Sequence, residues 1–163
     1  MGLKILVAVI LLLILPLAAV LIAIAMNRPM LWNPPGFTNR LSIYFRYNAA
    51  ETTGNPFLPE LRIRSYPVSE ETMKGAVART VRSLPGWTLI REEGELGVYQ
   101  VEVASRLWGF RDDLSILVTR SASDGVEVYL YSASRVGRGD LGANRAHILT
   151  FYEALERRLK EGP

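Results

Sequence analysis

The chain has 163 residues, no cysteine, a single histidine and a formal net charge of +3. That length suits one domain plus an appendage. Without cysteine there is no disulfide frame, thiolate nucleophile or cysteine-zinc site, and a single histidine leaves any metal site mostly carboxylate. Every charged residue before Glu51 is basic (Lys4, Arg28, Arg40 and Arg46), and setting those four aside from the 19 basic residues leaves 15 against 16 acidic ones. A nucleic-acid binder carries a basic stripe on the domain itself. None is expected here.

Ile5 to Met26 carries no charged or polar side chain, and as helix it would span roughly 33 Å, the hydrocarbon thickness of a bilayer. Residues 1–28 are therefore expected to be a single-pass transmembrane anchor, with the membrane as first partner through residues 5–26. The competing reading is a signal sequence cut after Ala23-Ile24-Ala25, with Pro16 breaking the run. Lys4 on one side nearly balances Arg28, Arg40 and Arg46 on the other, so the positive-inside rule decides little. The short head with one lysine favours a domain outside the cytoplasm.

Residues 29–60 are expected to be a juxtamembrane connector, because Pro29, Pro34, Pro35, Pro56 and Pro59 argue against a continuous helix. The same stretch holds Trp32, Phe37, Tyr44, Phe45, Tyr47 and Phe57 with arginines between them, a composition that suits headgroup level. Alternatively, Leu41 to Tyr47 packs onto the domain as an edge segment.

The globular part, 61–163, has a regular pattern. Leu61 to Tyr66 alternates as a short strand. Ser69 can cap a helix, Glu70 and Glu71 suit its positive start, and Val68 can staple to Met73. Met73, Val77, Val81 and Leu84 form its apolar stripe, which Pro85-Gly86 ends. This stripe reads as core lining and not as a cofactor box. Four strands are expected at Trp87–Arg91, Val98–Leu107, Leu114–Arg120 and Val126–Arg135. Glu93-Gly94-Glu95 and Ser123-Asp124-Gly125 turn the first pair and the last pair as antiparallel hairpins. A last helix is predicted from Leu141 to about Lys160, burying Leu141, Ile148, Phe151, Leu155 and Leu159. The order β-α-β-β-β-β-α is an α+β two-layer sandwich, one antiparallel sheet with two helices on one face.

Gly137, Gly139 and Gly142 spell G-x-G-x-x-G between a strand and a helix. A dinucleotide site needs a second parallel strand after that helix, and none is expected before Pro163. Asp140 also stands where amides should meet a pyrophosphate. No nucleotide and no other cofactor is expected. Asp140 instead caps the helix, Gly137 and Gly139 allow a tight turn, and Gly142 allows close backbone approach. Arg138 and Arg145 lie near the helix start as charge partners should it hold an anion.

Asp112-Asp113 could share a proton or bind a metal, but neighbours on a strand point to opposite faces. One is expected to shape the turn and the other to pair with Arg135. Ser132 and Ser134 share a strand face, and Ser134 with His147 could form a serine-histidine pair, yet no G-x-S-x-G elbow or third member is evident. His147 is expected on a helix flank. Arg138-Gly139-Asp140 is an adhesion tripeptide that recurs by chance.

From about Leu61 to Leu159 the chain resembles the family catalogued as domain of unknown function 1499, in its bacterial, membrane-anchored form. The likeness rests on Phe110-Arg111-Asp112-Asp113 and on Ser132, Ser134, Arg135, Gly137, Asp140, Gly142 and Asn144. It departs at His147, where the family tends to carry arginine before the first isoleucine of the helix. The resemblance implies no activity. The expected function is that of a non-catalytic, membrane-anchored domain that binds a partner protein or the membrane surface. Asp112, Asp113, Ser132, Ser134, Arg135, Asp140, Asn144 and Arg145 are its recognition face or structural clasp. The alternative is a lipid or small-molecule binding domain with its cavity between sheet and helices. An enzyme using Asp112 or Asp113, or Ser134 with His147, ranks third.

Overall fold

Burial alternates residue by residue along 112–118 and 126–132, so each strand has one face in the core and one towards water. The computed structural model describes residues 2–105, 109–122 and 124–161, and in it these strands form the middle of an open antiparallel sheet. Helix α1 (Gly2–Met26) is followed by α2 (Phe37–Arg46), β1 (Ala49–Glu51), β2 (Arg64–Tyr66) and α3 (Glu70–Ser83). Then come β3 (Trp87–Glu93), β4 (Val98–Ala104), β5 (Arg111–Arg120), β6 (Val126–Ser134) and α4 (Ala143–Glu161). The sheet order is β1-β6-β5-β4-β3, with β2 pairing β6 on the same side as β1. This is the expected α+β class.

Helices α3 and α4 cover the inner face. Met73, Val77 and Val81 of α3 and Ile148, Phe151 and Leu155 of α4 meet Val101, Leu114, Ile116, Val128 and Leu130 of the sheet. Each such side chain stabilises the fold by about 1.5–3 kcal/mol when fully buried. Ser69 caps α3, accepting from Thr72 N at 3.1 Å, as the sequence predicts. The space between sheet and helices is filled by this core.

Several boundaries differ from expectation. Leu61 ends a 3-10 turn (Pro59–Leu61), so only Arg64–Tyr66 of the first predicted strand joins the sheet. Helix α4 begins at Ala143 because Leu141 (φ 53°) and Gly142 (φ 85°) are left-handed and cannot start a right-handed helix. The far ends of the predicted Val98–Leu107 strand, Trp108 and Ser123 lie outside the described residues.

The largest difference is in the stretch expected as a connector. Its prolines cluster at both ends, leaving Phe37–Arg46 free to form α2, which buries Arg40 and Tyr44. Leu41–Tyr47, read as an edge segment, packs onto the domain as the end of this helix, and the edge strand is Ala49–Glu51, pairing Ala133 to Tyr131. Helix α1 is long and apolar enough to cross a membrane, and it runs unbroken through Pro16.

Candidate functional site

The register of β5 against β6 sorts the expected polar cluster onto two faces. Asp112 pairs with Ser134 and Leu114 with Ser132, all pointing inward. Asp113 points outward, where Arg135 grips it through Nε (3.0 and 3.1 Å) and Nη2 (2.6 Å). Arg135 also reaches Glu102 of β4 at 2.9 Å, and Arg111 bonds the same carboxylate. Of the two aspartates it is thus Asp113 that pairs with Arg135, and Asp112 shapes no turn, since both lie within β5.

Asn144 organises the inner half. Its Oδ1 accepts from Ser132 Oγ at 2.6 Å, while Nδ2 lies within 2.9 Å of Ser134 Oγ, Asp140 Oδ2 and the carbonyl of Asn48. Asp140 accepts from the amides of Gly142 (2.7 Å) and Asn144 (3.0 Å), satisfying donors that α4 would otherwise leave open. A carboxylate therefore occupies the place a phosphate would need. The sheet around the glycine run is antiparallel, unlike the parallel unit of a dinucleotide fold.

What the glycines do is let α2 come close. A Cβ on Gly139 would sit 2.3 Å from the carbonyl oxygen of Phe45, and one on Gly142 would sit 3.3 Å from the Tyr44 ring. Backbone bonds run the same way, from Asp140 N to Tyr47 O (3.1 Å) and from Leu141 N to Tyr44 O (2.9 Å). Asn48 Nδ2 returns a bond to Gly137 O at 3.0 Å. The adhesion tripeptide is consequently pressed against a helix. Gly139→Ala should destabilise the protein by about 2 kcal/mol or more, as an overpacked backbone contact does. Thermal melts of the full chain would check this, and an unchanged midpoint would refute the close approach.

Arg145 belongs to a different constellation, which sequence reasoning missed. Glu60 bonds Arg40 Nη1 (2.7 Å) and Nη2 (2.9 Å) and Arg145 Nε (2.5 Å), and both arginines are buried. Burial opposes ionisation of Glu60, but the hydrogen bonds from Arg40 and Arg145 outweigh it and hold its pKa at about 2. The remaining guanidinium donors go to the segment that leaves α1. Arg40 bonds the carbonyls of Asn33 (2.9 Å) and Pro34 (2.5 Å), and Arg145 bonds that of Arg28 (2.9 Å) and Met30 Sδ (2.6 Å). Tyr44 Oη donates to Pro29 O, Asn27 to Leu141 O, and Arg28 pairs with Glu153. Arg28 (φ 52°) and Met30 (φ 45°) are left-handed, a strained conformation for non-glycine residues that these contacts hold. No local pattern announces Glu60, because its partners lie 20 and 85 residues away.

His147 does not complete a catalytic relay. Its Nδ1 lies 3.5 Å from Ser132 Oγ and 3.7 Å from Asp112 Oδ2. One ring nitrogen thus faces both groups, whereas a Ser-His-Asp relay uses two. The serine in reach is Ser132, already donating to Asn144, and not Ser134. Asp112 and Ser132 are buried. Burial pulls the His147 pKa down to about 4, partly offset by Asp140, and burial raises those of Asp112 and Asp140.

These shifts have opposite signs in the linkage to stability. The folded His147 binds its proton less readily than the unfolded one, so its contribution, about 3 kcal/mol at the extreme, is lost as pH falls from 6.5 towards 4. Asp112 and Asp140, raised in the fold, contribute in the other direction, gaining stability towards acid. His147→Gln should therefore remove the loss that begins near pH 6.5, leaving below about pH 5 only the opposed contributions of Asp112 and Asp140, which gain towards acid, and of Glu60 and Asp113, which lose. A variant that kept the wild-type slope in denaturant titrations would show the histidine plays no part.

A groove of about 570 Å³ opens between α2 and the segment following it, walled by Ile43, Tyr47, Phe57 and Leu58 and touched by Asp140 and Arg145. Among the described residues no group of three His, Asp or Glu is placed to hold a metal ion. A search of curated proteins gave no match. A family profile described as "Protein of unknown function (DUF1499)" matches residues 29–155, a span that begins at the loop pinned by Arg40 and Arg145 and closes within α4. The chain belongs to that family.

Proposed function

We propose that this protein is a membrane-anchored, non-catalytic domain that presents a surface to a partner protein or to the membrane itself. The observation that carries this reading is the clasp. The residues around Asp140, Asn144 and Arg145 spend their bonds on the segment between α1 and β1, joining the domain to the end of α1. A retained anchor is favoured over a cleaved signal because Ile24, within the cleavage motif, is 7% exposed and Asn27 bonds the α4 approach. Intact mass of the membrane-extracted protein decides between them. Loss of the first 25 residues would end the anchor reading.

In this reading the domain lies on the non-cytoplasmic side, which the short head with its one lysine, Lys4, favours. Cysteines at Gly2 and Gly94, where an added Cβ meets nothing within 4 Å, would report sidedness to an impermeant thiol reagent. Labelling of the Gly94 position only after permeabilisation would reverse the assignment.

The recognition surface in this reading is the uncovered sheet face around Glu102, Asp113 and Arg135, next to exposed Tyr131 and Leu117. Arg135 is a surface group, and exposed ion pairs contribute little. Arg135→Ala should leave the melting midpoint nearly unchanged while reducing photocrosslinking of a partner to a probe at Tyr131. A collapse of the midpoint would instead make Arg135 structural. A second reading, lipid or small-molecule binding, is favoured only by the groove beside α2. Native mass spectrometry of the full chain released from membranes tests it, and a ligand-free spectrum would count against it.

A further inference from the structure

Pro29 to Phe37, which runs from just past α1 to the first residue of α2, contains no charged residue. Both arginines that flank it are neutralised, Arg28 by Glu153 and Arg40 by Glu60. Three of its residues are prolines without an N–H, and the amides of Asn33 and Gly36 bond within the segment, to Met30 O and Asn33 O. Little charge would lose water if this surface left the aqueous phase. Apart from Asn33, its side chains are apolar. Trp32 is 84% exposed and Phe37 39%, and the two rings stack at 5.2 Å with an interplanar angle of 27°.

This aromatic pair does not hang on a loose linker. Arg40 bonds the carbonyls of Asn33 and Pro34, and Tyr44 bonds that of Pro29. The pair therefore has a fixed place, only a few residues beyond Met26, the last residue of α1. A stacked, uncovered aromatic surface a few residues beyond an apolar span fits one environment above others, since aromatic rings such as that of tryptophan concentrate where acyl chains give way to headgroups.

We infer that Trp32 and Phe37 form an aromatic platform that seats in the headgroup-to-acyl boundary of the same bilayer that holds α1. The inference rests on the anchor reading. The platform and α1 together would give the domain two adjoining contacts with one leaflet, so the domain lies against the surface.

The test uses the full chain reconstituted in phosphatidylcholine vesicles carrying bromine near the headgroup end or near the tail end of the acyl chains. Trp87→Phe with Trp108→Phe leaves Trp32 as sole emitter. A parallel protein adds Leu12→Trp and Trp32→Phe, placing the only tryptophan in the middle of α1. Trp32 should emit to the blue of its value in water and lose roughly twofold more intensity to shallow than to deep bromine, as a ring at the interface does. The Leu12→Trp probe should show the reverse preference. If that probe is quenched by deep bromine while Trp32 is quenched by neither lipid, the platform faces water or a protein, and this inference falls with the anchor intact. If neither probe is quenched, both fall. Should the double phenylalanine background fail to fold, a nitroxide on Thr38→Cys, in a chain with no other cysteine, gives the same depth. Its relaxation by an apolar relaxant such as oxygen would support the platform, and relaxation only by a water-soluble one would overturn it.

Discussion

Glu60→Ala should lower stability by about 3–5 kcal/mol, because it leaves two buried guanidinium groups facing each other without a counter-charge. In a chain of this size that corresponds to a fall in melting midpoint on the order of 10 °C. The magnitude follows from the geometry. Arg40 is fully buried and Arg145 2% exposed, so solvent cannot take over from the lost carboxylate. Replacing Arg40, Glu60 and Arg145 together by Met, Leu and Met should recover part of the loss, since a buried ion triad is often no better than apolar packing. Recovery should stay incomplete, because the carbonyls of Arg28, Asn33 and Pro34 would lose their donors. Denaturant melts of the full chain in detergent would read both changes. A single Glu60→Ala variant that melted with the parent would show that the arginines find other partners and that the triad holds nothing.

Asn144→Ala should cost about 3–4 kcal/mol. The side chain serves Ser132, Ser134, Asp140 and the Asn48 carbonyl at once, and each buried group left unsatisfied costs about 1–3 kcal/mol. Asn144→Asp separates shape from charge. It keeps an acceptor for Ser132 but sets a third carboxylate beside Asp140 and Asp112, whose pKa values burial already raises. The new acid would be raised in the fold, so the variant should be weakest at neutral pH and regain stability as pH falls. Hydrogen exchange should show the amides of Asp140 and Leu141, which bond Tyr47 O and Tyr44 O, losing protection first. Retained protection there, with stability lost elsewhere, would separate Asn144 from the docking of α2.

Much of this could be read from residues in order, and the rest could not, for reasons of range. Alternation along β5 and β6 and the Ser69 cap of α3 are local signals, and local physics fixes them. Asp112 and Asp113 were separable onto two faces by the period of a strand alone. Helix α2 is hidden from a proline count over the whole stretch, although no proline lies between Gly36 and Asn55. Strand β1 is Ala-Ala-Glu, with no β-branched residue to announce it, and exists because β6 offers it a partner. Arg40 and Glu60 each read as ordinary surface charges. Their burial comes from a contact with Arg145 that no window of sequence spans.

The segment leaving α1 is bonded at nearly every residue, and this bears on how the domain would sit above a bilayer. A domain on a slack tether sweeps a hemisphere and meets partners at many heights. Here the last turn of α1, the Arg28-to-Pro34 loop and α2 form one stiff elbow. If α1 spans a membrane, its rotation about its own axis is handed directly to the sheet. One alanine inserted near the middle of α1 would turn the domain by about 100° relative to the far half of the span and raise it by about 1.5 Å. The open face of the sheet would then have a bearing, and a neighbour in the same membrane would meet it from one side only.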